Sequence, residues 1–124
     1  MDRATSERGP LMGVVLLWAV GIVVAILVGR GWVSAQQRRR VPALLAAGAT
    51  IVDVRSAEEY ATGHVPGSIN APLAQLPAGL DRVDRTKPVV VCCASGVRSE
   101  SALALLRRAG CLEVVNGGSW RDLR

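Results

Sequence analysis

The sequence predicts an α/β domain with a parallel sheet flanked by helices, preceded by one transmembrane helix. Three observations lead to this fold class. Residues 11–29 form a run of 19 residues without a charge. After this run, short β-branched segments alternate with helical patterns, which is typical of a parallel sheet with helices on both faces. The length of 124 residues allows at most one such domain beside the apolar run.

The apolar run at residues 11–29 predicts a membrane span. At about 1.5 Å per residue, a helix of this length reaches roughly the 30 Å of a bilayer core. The run has no polar face, which a helix at the surface of a soluble core would show. A cleaved signal peptide is the alternative, because Val33-Ser34-Ala35 resembles a cleavage site. The long apolar run and the barely basic N-terminus favour an uncleaved anchor.

Arginines on the two sides of the span predict its orientation. Two arginines precede the span and four follow it, namely Arg30 and Arg38 to Arg40. This asymmetry places the C-terminal part in the cytoplasm, so we expect a single-pass protein of the cell (inner) membrane with its folded domain on the cytoplasmic side. Residues 1–10 are predicted to be a disordered tail. Residues 30–40 are predicted to be a basic juxtamembrane linker that meets anionic membrane lipid.

The distribution of charge and of cysteine excludes several classes of function. The net charge is +5, yet residues 41–124 carry nine basic and eight acidic side chains. A nearly neutral domain with no Phe does not suggest a nucleic-acid partner. The three cysteines do not suggest a disulfide framework, and their spacing beside a single His does not match a zinc site. We therefore predict no metal and no organic cofactor.

The first half of the domain at residues 41–124 shows the following elements. Pro42 is suited to the first position of a helix that ends at Gly48. Residues 50–54 form a β-branched run that predicts a buried strand. Ser56 predicts the cap of a short helix over residues 57–61. The elements predicted after it are a turn at 63–67, a short strand at 68–70, a helical turn at 72–76 and a polar connection at 80–87.

The second half contains the clearest pattern. Residues 88–92 predict a central strand, and residues 98–109 predict a helix that Gly110 ends. A third strand is expected at 112–115. Gly117-Gly118 is expected to turn the chain before a last short helix capped by Ser119.

The junction after the central strand predicts the site. Cys93 follows the strand directly, and the helix begins at Arg98, so backbone N–H groups and a helix N-terminus converge near the thiol. Such surroundings favour the thiolate, which is the reactive form of cysteine. In parallel sheets, sites lie beyond the carboxyl ends of the strands, where Arg55 is also expected.

Several short motifs in fixed order resemble the rhodanese (sulfurtransferase) domain, from about residue 41 to the C-terminus. The motifs are Asp53-Val54-Arg55, Glu59-Tyr60, Gly63-His64-Val65-Pro66-Gly67-Ser68-Ile69-Asn70, Cys93-Ala94-Ser95-Gly96-Val97-Arg98 and Gly117-Gly118. The resemblance implies a rhodanese-like α/β fold and transfer of sulfane sulfur from a donor to a thiol or cyanide acceptor, through a persulfide on Cys93. It also implies that the loop residues bind the transferred sulfur: Ala94, Ser95, Gly96, Val97 and Arg98.

Two other interpretations remain beside sulfur transfer. Counted from Cys92, the loop has the longer spacing of related phosphatases. Cys93 is favoured because Gly96 then falls where the sulfurtransferase pattern Cys-x-x-Gly-x-Arg requires it, and because Cys92 belongs to the apolar strand. A non-catalytic binding or redox-sensing module is the second alternative. The intact cysteine, glycine and arginine of the loop favour catalysis.

One departure from the family pattern concerns the donor. Members of the family often carry Arg directly after the nucleophile, where this chain has Ala94. We therefore expect weak binding of the thiosulfate dianion and better use of a persulfide or polysulfide donor. The anchor suggests that the donor or the acceptor is itself a membrane-bound protein of sulfur metabolism.

The remaining polar residues of the motifs are predicted to support the structure. Asp53, Arg55 and Glu59 are expected to form an ion-pair and turn network, and His64 is expected to make a structural hydrogen bond. Cys111 is expected to be a core residue, with a resolving role toward Cys93 as the alternative.

Overall fold

The computed structural model describes residues 9–124, which begin with one long helix, α1, at Gly9–Ala46. This helix is long and apolar enough to cross a membrane, by length and composition. The predicted span at residues 11–29 lies inside it. Of the predicted disordered tail, residues 1–8 lie outside the described residues, whereas Gly9 and Pro10 already belong to the helix.

The chain divides after Ser34 into two compact units, and α1 contributes to both. The predicted linker at residues 30–40 lies within α1, so this segment is helical. Pro42 is inside the helix and does not begin a new one. The Ala, Gln and Arg residues of this segment are good helix formers, whereas Pro42 costs one backbone hydrogen bond. Packing of Val41, Leu44 and Leu45 against the sheet offsets that loss.

The second unit, Ala35–Arg124, contains a four-stranded parallel sheet. Its strands are β1 at Thr50–Asp53, β2 at Ile69–Asn70, β3 at Val89–Cys93 and β4 at Val114–Ser119, in the spatial order β2-β1-β3-β4. The predicted fold class is confirmed. β3 lies at the centre and is buried along its whole length, which explains its continuous run of apolar residues.

Helices and tight turns connect the strands. α2 spans Ala57–Ala61 and α3 spans Val97–Arg108, while 3-10 turns occupy Leu73–Gln75, Leu80–Arg82 and Trp120–Leu123. Ser56 caps α2 as predicted, since its hydroxyl accepts from the Glu59 N–H in a reciprocal capping box. α3 begins one residue earlier than predicted.

Alternate residues of β3 pack on opposite faces of the sheet. One face is covered by α3, and its core includes Val52, Val54, Val89, Val91, Cys93, Ala102, Leu103 and Leu106. The other face carries Val90 with the end of α1, and Cys92 with Val65 and Trp120. Cys92 and Cys93 are neighbours in sequence, yet their side chains enter different clusters.

Gly117 and Gly118 lie within β4 and do not form the predicted turn. The register shifts here, because Asn116 pairs with Val91 while Gly118 pairs with Cys92. This bulge needs glycine: Gly118 has a φ of +77°, and a Cβ on Gly117 would lie 2.7 Å from a methyl group of Val90. The strand therefore continues to Ser119, which pairs with Cys93 at the start of the loop between β3 and α3.

Candidate active site

Cys93 is the last residue of β3 and lies at the floor of the loop that leads into α3. Its residue surface is only 1% exposed. The Gly96 N–H donates to its Sγ at 2.9 Å, and the Ser99 hydroxyl lies 3.5 Å from the same atom. The sulfur is thus surrounded by hydrogen-bond donors at the N-terminus of a helix, an arrangement that stabilises an anion.

The loop can adopt this shape because residue 96 is glycine. Gly96 has a φ of +97°, and a Cβ at this position would lie 3.2 Å from the Gly118 Cα. A side chain would be both strained and crowded there. Around it, Ala94 and Ser95 are exposed, and Val97 is 72% exposed, so the rim of the loop has no charged side chain between Cys93 and Arg98.

The surroundings of the three thiols change their acidity in opposite directions. Burial alone would raise the pKa of Cys93, but hydrogen bonds from Ser99 and from the backbone of Ser95 and Gly96 lower it below the ordinary value. Burial raises the pKa of Cys92 to about 12, and burial also raises that of Cys111. Of the three, Cys93 is the one poised to react as a thiolate.

A buried polar pair supports the loop from below. The Ser99 hydroxyl lies 3.0 Å from the Gly96 carbonyl oxygen and 2.8 Å from Asn116 Oδ1. Asn116 Nδ2 donates to the Gly96 carbonyl at 3.0 Å, and the Gly118 N–H donates to Asn116 Oδ1 at 2.9 Å. These bonds tie the loop to β4.

Arg98 closes the loop, but its charge is paired. Its two terminal nitrogens donate to the two carboxylate oxygens of Glu59 at 2.6 and 2.9 Å. Hydrogen bonding to Arg98 lowers the pKa of Glu59 to about 2, so the pair is ionised at neutral pH. Glu59 therefore contacts the loop itself, a role that the sequence did not reveal.

Asp53 and Arg55 form a buried ion pair behind this contact. Arg55 Nη2 donates to Asp53 Oδ2 at 2.8 Å and to the Gly63 carbonyl at 2.7 Å, and Nη1 donates to the Glu59 carbonyl at 3.2 Å. The guanidinium lies 4.4 Å from the centre of the Trp120 ring. These contacts fix the segment that presents the Glu59 carboxylate to Arg98.

His64 makes a local contact. Its Nδ1 lies 2.9 Å from the Tyr60 carbonyl oxygen, and its ring stacks on the Tyr60 ring at 3.8 Å. Because a carbonyl only accepts, Nδ1 donates this bond. The contact orders the turn after α2 and does not involve Cys93.

The structure thus brings Cys93, the loop from Ala94 to Arg98 and Glu59 together, and it places Asp53, Arg55 and His64 around them. Sequence reasoning missed Ser99 and Asn116. A serine in the first turn of a helix and an asparagine in a strand are common, so neither position carried a signal. Within residues 9–124, no cluster of three His, Cys, Asp or Glu side chains is placed to hold a metal ion.

Comparison with known proteins agrees with this geometry. The model of the rhodanese-like domain family matches residues 37–120. The chain belongs to the rhodanese-like family. The match begins inside α1, consistent with the packing of that helix on the sheet.

Individual proteins resemble parts of the chain. Thiosulfate sulfurtransferase GlpE of Stutzerimonas stutzeri is 37% identical over 92 residues, which cover 67% of this chain and 84% of that protein. The uncharacterized protein YqhL of Bacillus subtilis is 40% identical over 68 residues, covering 55% of this chain. That alignment includes 54% of YqhL, so the chain spans about half of that relative's length.

A solved structure of a sulfurtransferase has the same fold. The human single-domain sulfurtransferase TSTD1 superposes with a TM-score of 0.59 at 30% identity. The alignment covers 68% of this chain and 89% of TSTD1. The homology therefore concerns the domain that contains Cys93.

The Glu59–Arg98 pair predicts a pH dependence of stability. Because the pKa of Glu59 is lowered from 4.5 to about 2 on folding, the pair stabilises the fold above pH 4.5, and this contribution is lost as the pH falls toward 2. Glu59→Gln should therefore lower the Tm at pH 7, and the gap to the wild type should shrink between pH 5 and pH 2. The Tm is measured by near-ultraviolet circular dichroism on the full chain in detergent.

Glu58→Gln is the matched control, since Glu58 is an exposed neighbour on the same helix. It should leave the Tm near the wild-type value at both pH values. A gap between wild type and Glu59→Gln that stays constant down to pH 2 would contradict the role assigned to the pair.

Proposed function

We propose that this protein is a sulfurtransferase that moves sulfane sulfur from a donor to a thiol through a persulfide on Cys93. The observation that carries the proposal is the position of the Cys93 sulfur, which lies in a loop of backbone donors with its pKa lowered. The family membership and the relatives named as sulfurtransferases support it.

In the first half-reaction, the Cys93 thiolate attacks the outer sulfur of a donor persulfide. The new bond joins Sγ to that sulfur, and the donor's S–S bond breaks, so the donor leaves as a thiolate. The bonding electron pair leaves with the donor, and no external oxidant or reductant is needed. The loop donors then interact with the charge of the Cys93 persulfide.

In the second half-reaction, an acceptor thiolate attacks the outer sulfur of the Cys93 persulfide. A new S–S bond forms on the acceptor, the bond to Sγ breaks, and Cys93 returns as a thiolate. The donors that lower the pKa of Cys93 also stabilise it as a leaving group, so the same hydrogen bonds serve both halves of the cycle.

The charge around the loop favours a persulfide over thiosulfate as the donor. Ala94 supplies no cation at the rim, and the Arg98 guanidinium is neutralised by Glu59. A dianion would gain little binding free energy from these surroundings. An alkyl persulfide carries less charge, so its binding depends less on a cation at the rim. The name thiosulfate sulfurtransferase belongs to GlpE and does not by itself identify this chain's donor.

Activity of two cysteine variants tests the proposed function. Wild-type full chain in detergent should transfer sulfur from cysteine persulfide to cyanide, and Cys93→Ser should abolish this activity, because the nucleophile is lost. Cys92→Ser is the matched control: Cys92 lies in another cluster and should be dispensable. Thiocyanate formation measures the rate. A folded wild-type chain without activity would overturn the proposal in favour of a binding module or a phosphatase. Activity lost in Cys92→Ser but kept in Cys93→Ser would contradict the assignment of Cys93 as the nucleophile.

Ala94→Arg tests the electrostatic account of the donor. An added cation at the rim should lower the KM for thiosulfate several-fold, by roughly 1 kcal/mol of binding free energy. The KM for cysteine persulfide should fall less, because that donor carries less charge. Ala94→Gln, which is long but neutral, controls for size. Equal changes of both KM values in Ala94→Arg would refute the charge argument.

We also propose that the reaction takes place at the membrane. The apolar part of α1 would anchor the chain, and the arginines that follow it would keep the domain in the cytoplasm beside anionic lipid. The donor or the acceptor would then be a membrane-bound protein that handles sulfane sulfur.

Fractionation and protease protection test this location. The full chain should remain with the membranes after an alkaline wash, and protease should digest its domain in inside-out vesicles but not in right-side-out vesicles. Detergent should expose the domain in both. Release by the wash, or digestion from the outer side, would contradict the proposed location.

A further inference from the structure

The last part of α1, residues 35–46, belongs to the second compact unit and lies along β4, the edge strand of the sheet. Arg40 forms an ion pair with Glu113, the residue before β4. The Asn116 N–H donates to Gln37 Oε1 at 3.2 Å. An edge strand has backbone groups without a strand partner, and Gln37 satisfies one of them. These contacts fix the position of the helix along the strand.

The order of the contacts shows that α1 runs antiparallel to β4. Gln37 contacts Asn116, and Arg40, almost one turn later in the helix, contacts a residue that precedes Asn116 in the strand direction. The connection to the next strand agrees, because α1 ends at Ala46 and β1 begins at Thr50. α1 therefore enters the domain at the end of the sheet where the parallel strands finish, which we call the carboxyl end of the sheet.

The nucleophile loop lies at the same carboxyl end. Cys93, the last residue of β3, pairs with Ser119, the last residue of β4. Arg38 Nε lies 3.6 Å from the position that a Cβ on Gly118 would take, and a Cβ on Gly96 would lie 3.2 Å from the Gly118 Cα. A single residue of β4, Gly118, thus bridges α1 and the loop.

The length of the chain limits how far the carboxyl end of the sheet can lie from the predicted membrane span. From Gly29, the last residue of that span, to Gln37 the chain extends at most about 28 Å. This bound follows from chain length alone and holds for any angle between the span and the domain. The 6 residues of β4 add roughly 20 Å to reach the opposite end of the sheet.

We propose that the nucleophile loop works at the bilayer surface, and that the partner exchanging sulfur with Cys93 presents its own sulfur atom near the cytoplasmic end of a membrane span. This inference rests on the proposed function and on the proposed anchor. The attachment of α1 beside the loop carries it, because a tether raises the local concentration of whatever lies within its reach. A sulfur atom held far out in the cytoplasm would gain nothing from this attachment.

The side chains at the carboxyl end of the sheet suit a position beside lipid. Arg38 and Arg39 are exposed there and would be attracted by anionic headgroups. The rim of the loop at Ala94, Ser95 and Val97 has no acidic side chain that would be repelled by them. The loop can therefore approach the headgroups without an electrostatic penalty of its own.

The test compares two engineered cysteines at opposite ends of the sheet, in the full chain reconstituted in vesicles. Val97→Cys lies in the loop and Leu112→Cys lies before β4, and the native side chains are similarly exposed, at 72% and 80%. Both variants also carry Cys93→Ser, which removes the nucleophile, whereas Cys92 and Cys111 are buried. The vesicles contain phosphatidylglycerol and a lipid with a maleimide on its headgroup.

Val97→Cys should react with the maleimide lipid roughly five-fold faster than Leu112→Cys. Each rate is first divided by that of the same variant with a soluble maleimide in detergent, and mass spectrometry locates the label. Flotation shows whether the chain is in the vesicles. Equal rates in a chain that floats, or no reaction at residue 97, would overturn the inference alone. A chain that does not float would overturn the proposed anchor and the inference together.

Sulfur transfer in vesicles without the maleimide lipid separates the inference from the proposed function. The wild-type chain, loaded with cysteine persulfide, should pass sulfur to a thiol on a lipid headgroup. Insertion of about 30 Gly and Ser residues after Gly31 should slow this transfer several-fold, because a longer tether dilutes the loop at the surface. Transfer to soluble cysteine should not change and is the matched control.

The outcomes of this transfer experiment are distinct. Transfer to the lipid thiol at the same rate with and without the insertion would overturn the inference and leave the proposed function intact. No transfer to either thiol, in a chain whose labelling favours residue 97, would contradict the proposed function and support the position of the loop at the bilayer surface.

Discussion

A sulfur anion held inside a protein must be surrounded by hydrogen-bond donors, and the domain is organised around this requirement. Cys93 is 1% exposed, and burial by itself would raise its pKa. The Gly96 N–H and the Ser99 hydroxyl reverse this effect. The left-handed Gly96, the start of α3 and the close approach of Gly118 follow from the need to bring these donors to one atom.

The pleat of β3 places the thiols of Cys92 and Cys93 on opposite faces of the sheet, in surroundings that change their pKa values in opposite directions. Cys93 faces the core under α3, whereas Cys92, one residue earlier, faces Val65 and Trp120, where burial raises its pKa to about 12. A shift of one residue in register would exchange the two thiols. The central position of β3, bonded on both sides to β1 and β4, prevents such a shift. Sheet pairing thus decides which of the two thiols lies among the donors of the loop.

Local patterns in the sequence were sufficient for the first three strands, the start of α3 to within one residue and the cap of α2, because each depends on neighbours within a few residues. The features that the sequence predicted wrongly or missed depend on contacts between residues that are distant in sequence. α1 continues through Pro42 because Val41, Leu44 and Leu45 pack on a sheet formed later in the chain. Gly117 and Gly118 are glycines because of a bulge against β3, which no local pattern distinguishes from a turn. Ser99 and Asn116 gain their roles only from pairing across 17 residues.

The way in which the site stabilises negative charge affects which sulfur donor the proposed function favours. The guanidinium of Arg98 is committed to Glu59, so dipoles rather than a free cation act on the Cys93 sulfur. Dipoles at hydrogen-bond distance act over a short range, whereas a free charge would attract any anion from farther away. In the proposed sulfur transfer, such a site would stabilise a thiolate and then a persulfide at the same place, and it would give little advantage to a doubly charged donor in solution. Under that proposal, selectivity for the donor would depend on the rim at Ala94, Ser95 and Val97, which is neutral and exposed.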